Sequence, residues 1–315
     1  MEGDARQSRA NQVVWDERVP VHLSSRFYDV EGWLRDGRGP RPYEAAALGD
    51  VSGLSLVHLQ CHFGLDTLAW ARVGARVTGV DFSVPAIDAA RVLAERAGLS
   101  DRARFVCADV HDAPEALAGE QFDIVYVSLG ALTWLPQVEP WATVVAALLR
   151  PGGRLFVHDA HPLADSLADD ELVLVHSYFE EPEPFVEVTA ETYTDNDAAA
   201  SLTAVPTYTW NHGLGEIVTA LVGQGLVLEW LREHDWTAFE RFPWLVRQGD
   251  QHWSVPPDRP RIPLSFRVVG QFATLRSLWL LGPTGPKDVA GGVGVGVGLV
   301  AAHLALEHRA TPVPS

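Results

Sequence analysis

The chain has 315 residues, 47% of them hydrophobic and 21% charged, enough apolar material for one large or two modest globular domains. Lys plus Arg number 24 against 41 Asp plus Glu, a net charge of −17, which argues against nucleic-acid binding because neutralising phosphates needs clustered cations. Two cysteines, Cys61 and Cys107, argue against a disulfide framework, and the opening MEGDARQSRANQ lacks an apolar signal core, so a cytoplasmic protein is expected.

Residues 1–50 carry Trp15, His22, Phe27, Tyr28 and Trp33 in a weakly periodic stretch. They predict short helices ahead of a sheet, with Phe27 and Tyr28 as a possible lid. From Leu54 to Asp159 apolar runs alternate with helical patterns. The strands read LSLVHLQ, RVTGVDF, ARFVCAD, FDIVYVSL and GRLFVHDA. A helix over 84–97 puts Ile87, Ala90, Ala94 and Ala97 on one face, with Ser83 as N-cap and Gly98 as stop. A helix over 138–149 buries Trp141, Val144, Val145 and Leu148, and Pro151-Gly152-Gly153 turns the chain into the next strand. Such alternation predicts a parallel sheet covered on both faces.

Between 163 and 208 the character changes. ELVLVHSYF and PFVEVTAETYT alternate and are acidic, and read as antiparallel strands of an insertion. A helix over 214–222 and the strands LVLEWLREHDW and PLSFRVVGQ then complete a sheet domain spanning 51–272. The Gly/Val-rich tail, 273–315, contains an uncharged run over 289–306, but five glycines in its first ten residues speak for a loosely attached extension rather than a membrane anchor.

The most informative unit is LVHLQCHFG at 56–64 followed by VTGVDFS at 77–83. It reads strand, turn, helix, strand, with Asp81 at the tip of the second strand. Open parallel sheets bind nucleotide-like ligands at that end, and a carboxylate there accepts hydrogen bonds from ribose hydroxyls. The turn holds one glycine, Gly64, rather than G-x-G-x-x-G, and no phosphate loop ending GK[ST] is present. A nucleoside with a phosphate-free tail therefore fits better than NAD or ATP.

In order and spacing, LVHLQCHFG, GVDFS, FVCADVHD, FDIVYVSLGALTWL and LLRPGGRLFVHD resemble the landmarks of the class I S-adenosylmethionine-dependent methyltransferase family, over about 15–271. Within it the chain looks like a bacterial small-molecule type with an HLQCHFG first motif. The resemblance implies an α/β, doubly wound, Rossmann-like sheet of seven strands, the last antiparallel, with a β-rich insertion after the fifth. It implies S-adenosylmethionine as cofactor, with Asp81 and Phe82 at the ribose and Asp109 at the adenine amino group. Val110 would supply an amide and an apolar wall, and the Ser128 carbonyl would meet the cofactor's amino group. Gly64 would allow close backbone approach, and Asp66 would cap a helix or hold the cofactor. The chain departs from the family pattern where His58 replaces an acid and Gln60 and His62 replace the first two glycines. Those two side chains are expected to substitute side-chain for backbone hydrogen bonds, or else to plug the site.

The expected reaction is methyl transfer to an oxygen or nitrogen of a small organic acceptor, which would lie against Trp134 and Trp210. His161 and His212 are the candidate bases, since a histidine titrates near neutral pH. Cys61 reads as a small apolar residue under the turn. His158 and His161 would leave a strand on opposite faces, so no metal is expected. Two rivals remain at this stage: an enzyme that keeps the cofactor without transferring methyl, and a non-catalytic binding protein. Oligomeric state is not legible.

Overall fold

The computed structural model describes residues 2–194, 202–249 and 252–273. Three helices come first: α1 (Glu2–Ser24), α2 (Val30–Asp36) and α3 (Pro42–Leu48). The sheet units follow as β1 (Ser55–Leu59), α4 (Leu65–Arg72), β2 (Arg76–Asp81), α5 (Val84–Arg96), β3 (Ala103–Cys107), α6 (Ala113–Ala116), β4 (Phe122–Ser128), α7 (Val138–Leu148) and β5 (Leu149–Ala160). After α8 (Pro162–Asp165), β6 (Phe185–Thr189) and β7 (Val205–Thr209) form a hairpin. α9 (Leu214–Gly223) and β8 (Leu226–His234) precede a small sheet of β9 (Trp236–Thr237), β10 (Val246–Gly249) and β11 (His252–Ser254), and β12 (Ser265–Phe272) ends the described chain.

The main sheet has the order β3-β2-β1-β4-β5-β12-β8. β1 to β5 are parallel, and β12 runs antiparallel between β5 and β8. The seven-stranded sheet with its antiparallel last strand is as expected. The local reasons hold as well. Ser83 Oγ accepts the Ala86 amide at 3.3 Å to cap α5, and Gly98 takes φ +68° just after it. Trp141, Val145 and Leu148 of α7 are fully buried against Val125, Val127 and Val157 of the sheet.

Three expectations are corrected. The N-terminal segment is not made of short helices only, because α1 runs for 23 residues and contains Pro20. ELVLVHSYF forms no strand beyond a single bridge between Leu167 and Leu174; Val173, Leu174, Val175 and Phe179 are exposed, and alternation without a neighbouring edge gains no ladder. LVLEWLREHDW is not one strand either, since the chain leaves the main sheet after His234 and Trp236–Thr237 joins the small sheet. The run 289–306 lies outside the described residues.

Candidate functional site

The C-terminal ends of β1 to β4 open into a cavity of about 1560 Å³. Four landmarks stand along it in strand order: Asp109 just after β3, Asp81 ending β2, the Gln60–Gly64 turn after β1, and Ser128 ending β4. Neighbouring strands lie about 4.8 Å apart, so the row is roughly 14 Å long. That is the scale of an extended nucleoside carrying a short chain.

The turn keeps a glycine-like path without glycines. Gln60 and His62 take φ +56° and +50°, the left-handed region, and Gly64 takes +77°. The path is held by Cys61 N to Val80 O at 3.0 Å, Gly64 N to Cys61 O at 2.9 Å and His62 N to Asp81 Oδ2 at 2.8 Å. Packing requires the one glycine retained: a Cβ at Gly64 would lie 2.5 Å from Phe105 Cε1. Gln60 Nε2 donates to Ala131 O at 2.8 Å, while its Oε1 is buried without a protein partner. His62 Nε2 lies 2.9 Å from His22 Nδ1, and burial pushes the two imidazoles down to about 3 and about 2, so both are neutral at pH 7.

Asp81 is 8% exposed. Its Oδ1 accepts Ser83 N at 2.9 Å and its Oδ2 accepts His62 N; burial outweighs these bonds and lifts its pKa to about 6. Phe82 lines the cavity beside it, its carbonyl accepting Gln12 Nε2 at 2.6 Å. Asp109 has two roles at once. Its Oδ1 accepts His111 N at 2.9 Å, capping the short 3-10 turn Val110–Asp112, and its Oδ2 accepts Ser8 Oγ at 3.2 Å. Val110 is buried in the cavity wall.

A buried polar network closes the β1/β4 end. Arg41, at the start of α3, donates through Nη1 to Asp66 Oδ2 at 3.0 Å and to Glu44 Oε1 at 3.2 Å. The Tyr126 hydroxyl donates to Glu44 Oε1 at 2.9 Å, and Glu44 is 1% exposed. Ser128 Oγ reaches Asp66 Oδ2 at 3.3 Å and His58 Nε2 at 3.1 Å, and His58 Nδ1 lies 2.7 Å from Thr67 Oγ1. Burial lowers His58 to about 4, so it is neutral. Burial alone would raise Asp66, but Arg41 and His58 outweigh it and hold the carboxyl below its usual value. Arg41, His58, Asp66 and Ser128 all line the cavity. Arg41 and Glu44 were not singled out in the sequence; the RPYE stretch, with Pro42 at a helix start and Glu44 two residues on, was the available signal.

The roof comes from α1 and the insertion. Trp15 meets His62 and Trp134 edge-on, each at a centroid distance of 5.2 Å. The Tyr28 and Tyr193 hydroxyls are hydrogen-bonded, His22 Nε2 lies 2.6 Å from Thr192 Oγ1, and Asn11 holds both backbone groups of Tyr208 on β7. Phe27, Tyr28, Trp134 and Trp210 line the cavity, and the Trp210 Nε1 is buried without a partner.

The two candidate bases do not face this space. His161 is buried, caps α8 by accepting Leu163 N at 3.0 Å and contacts Glu233 at 2.9 Å through Nε2. His212 is held by Glu180 at 2.7 Å and by the Leu135 carbonyl at 2.9 Å. Neither lines the main cavity, because both rings are turned into the wall. His158 packs instead between Tyr43 and Trp236, away from His161. Cys61 is buried, and burial raises its thiol. Asp159, between the two histidines, has a role the sequence did not reveal. Its carboxylate accepts Ala131 N at 3.1 Å, Leu132 N at 2.9 Å and Gly130 N, fastening the loop that carries Trp134.

Residues 57–157, which contain most of this row, match the family model described as a methyltransferase domain. The match covers about a third of the chain. The ubiquinone biosynthesis O-methyltransferase of Methylocella silvestris is 38% identical over 136 residues, 42% of this chain and 47% of its own length. Its counterpart from a Methylobacterium species is 32% identical over 164 residues, 48% and 60% respectively. The chain thus spans about half the length of the curated relatives it matches. Among solved structures, an S-adenosylmethionine-dependent methyltransferase from Clostridium acetobutylicum aligns with a TM-score of 0.50 at 12% identity, over 78% of this chain and 93% of the other. The CcbJ methyltransferase from Streptomyces caelestis gives 0.50 at 16%, over 75% and 92%. That likeness is one of fold. The matched segment supplies the floor of the cavity, while α1 and the stretch after β5 supply its roof.

Proposed function

We propose that the chain is an S-adenosylmethionine-dependent methyltransferase acting on a small organic molecule. The observation that carries this reading is the row from Asp109 through Asp81 and the β1–α4 turn to Ser128, set on the floor of one cavity by the matched segment. The residues fit the cofactor on two further counts. Asp81 is a buried carboxylate at a strand tip with one backbone donor on each oxygen, leaving lone pairs for ribose hydroxyls. The buried Gln60 Oε1 lacks a donor, which a ligand in the cavity would supply.

When bound, S-adenosylmethionine supplies an electrophilic methyl group on a sulfonium. The protein's share is then orientation and exclusion of water. Asp81 fixes the ribose, Val110 and Asp109 bound the adenine end, and the turn around Gln60 sets the depth. Trp15, Trp134 and Trp210 wall the space above and suit a planar apolar acceptor. The similarity to O-methyltransferases favours an oxygen acceptor. His161 and His212 act from behind the wall: His212 bridges Glu180 to the Leu135 carbonyl and His161 holds α8. They are positioning residues in this reading, not bases.

The test is incubation with methyl-labelled S-adenosylmethionine and a panel of phenols and amines. S-adenosylhomocysteine released in step with labelled product supports the proposal; binding without methyl transfer to any panel member counts against it.

A further inference from the structure

Arg41, on the floor of the cavity, is matched by Asp66 and Glu44. Arg18, on its roof, is not matched. It lies on α1, lines the cavity and is 7% exposed. Its Nη2 donates to the Glu191 carbonyl at 3.1 Å, a neutral acceptor. Its Nε is buried with no partner, and no carboxylate among the described residues pairs with the guanidinium. Glu187 attracts it from further off, but burial is the larger effect and lowers its pKa. An arginine stays charged in a protein. A buried guanidinium with donors to spare is costly unless an anion meets it.

The surroundings do not supply that anion. The guanidinium lies 5.5 Å from the Trp15 ring centroid, and a ring offsets only part of the lost hydration. His22 and His62, close enough to feel the charge, are both neutral at pH 7. Glu181, Glu183, Glu187 and Glu191 also line the cavity, but they are exposed, where salt screens them.

The place of the charge says which ligand would bring the anion. Trp15 touches both the Arg18 guanidinium and, edge-on at 5.2 Å, Trp134. Those two rings are walls of the space above the strand tips, where a planar acceptor fits. Arg18 therefore stands one ring away from that acceptor, on the roof, while the row from Asp109 to Ser128 forms the floor. The planar fork of a guanidinium matches a carboxylate.

We propose that Arg18 is the specificity residue of the acceptor site: it binds a carboxylate carried by the methyl acceptor, whose ring lies against Trp15 and Trp134. This rests on the methyltransferase reading above and adds the charge of the acceptor to it.

The experiment titrates the protein, saturated with S-adenosylhomocysteine, with two probes in a calorimeter: 4-hydroxycinnamate and its neutral carboxamide. The wild type is expected to bind the acid about tenfold more tightly, or better, the scale of one charge-assisted hydrogen bond. Arg18→Gln should abolish that preference while changing the affinity for the amide and for S-adenosylhomocysteine by less than about twofold. Arg18→Lys, which keeps the charge, should retain part of the preference. The unchanged S-adenosylhomocysteine titration shows that a variant is folded. If Arg18→Gln does not fold, the acid-to-amide ratio in the wild type and in Arg18→Lys decides. A wild type that takes up S-adenosylhomocysteine but does not prefer the acid, or a glutamine variant that keeps the preference, overturns the inference and leaves the cofactor reading in place. Loss of S-adenosylhomocysteine affinity in step with the acid also overturns it, since the cation would then serve the cofactor. A wild type that binds no S-adenosylhomocysteine overturns the cofactor reading instead, and an acid preference that still depends on Arg18 would then stand as an anion site alone.

Discussion

Asp81→Asn separates the ligand role of Asp81 from any structural one, because the two predict opposite changes. Asp81 is almost fully buried, and burial lifts its pKa from 3.8 to about 6. At 1.36 kcal/mol per pKa unit, keeping it ionised in the fold costs about 3 kcal/mol. The sign follows from linkage: the folded pKa lies above the unfolded one, so the cost is absent below 3.8 and is fully incurred once the pH has risen through about 6. Asparagine escapes that cost. It keeps one acceptor, so one of the two backbone donors, His62 N or Ser83 N, loses its partner, at about 1–3 kcal/mol. Near pH 8 the two effects offset, and the variant should be within about 2 kcal/mol of wild type. The gap should shift in the wild type's favour by about 1.4 kcal/mol when the pH is lowered to 5, roughly half of the full effect. Asp159, also raised to about 6, cancels in the difference because both proteins carry it. Binding should respond differently. Losing charge-assisted bonds to ribose hydroxyls costs roughly 1.5–3 kcal/mol, about 10- to 150-fold in affinity. Urea unfolding at pH 5 and 8 reads the first effect, and calorimetry with S-adenosylhomocysteine at pH 8 reads the second. A stable variant with undiminished affinity refutes the assignment of Asp81 to the ligand.

Three further outcomes follow from the same geometry. Wild-type affinity for S-adenosylhomocysteine should fall as pH drops through about 6, since a proton on Asp81 occupies an acceptor; titrations at pH 5.5 and 7.5 check this, and an unchanged constant contradicts it. His62→Gly relaxes a left-handed backbone position but leaves His22 Nδ1 without its partner, so α1 should loosen and limited proteolysis within it should accelerate while nucleoside binding persists. Asp159→Ala removes the acceptor for the amides of Gly130, Ala131 and Leu132 and should cost roughly 2–4 kcal/mol in urea unfolding, more than one lost bond.

What the sequence disclosed follows from how local each signal is. Strands β1 to β4 are mostly apolar runs and α5, α7 and α9 carry single buried stripes, so their positions are legible to within a residue or two; β5 instead starts at Leu149 and runs through the Pro151-Gly152-Gly153 expected as a turn, four residues earlier than read. α1 is different. It packs on the β7 hairpin strand and on α5 as well as over the cavity, and its buried face includes the polar Asn11, Arg18 and His22, so no apolar stripe announces it, and Pro20 obscures its length. Asp81, Gly64 and Asp109 are readable because a strand tip has one position facing the crevice. Arg41 and Glu44 are not, because their partners Asp66 and Tyr126 stand 25 and 82 residues away. His161 and His212 fall near the rim as their places in the chain suggest, but the direction of a ring depends on partners such as Glu233 and Glu180, which no local pattern announces.

The central claim is that the row of strand tips binds an S-adenosyl ligand. A crystal structure of the protein with S-adenosylhomocysteine tests it most directly. The account predicts one molecule along β3-β2-β1-β4, its ribose hydroxyls within hydrogen-bond distance of Asp81 and its base beside Asp109. A ligand seated elsewhere in the cavity, or its place filled by the Gln60 and His62 side chains, would contradict it.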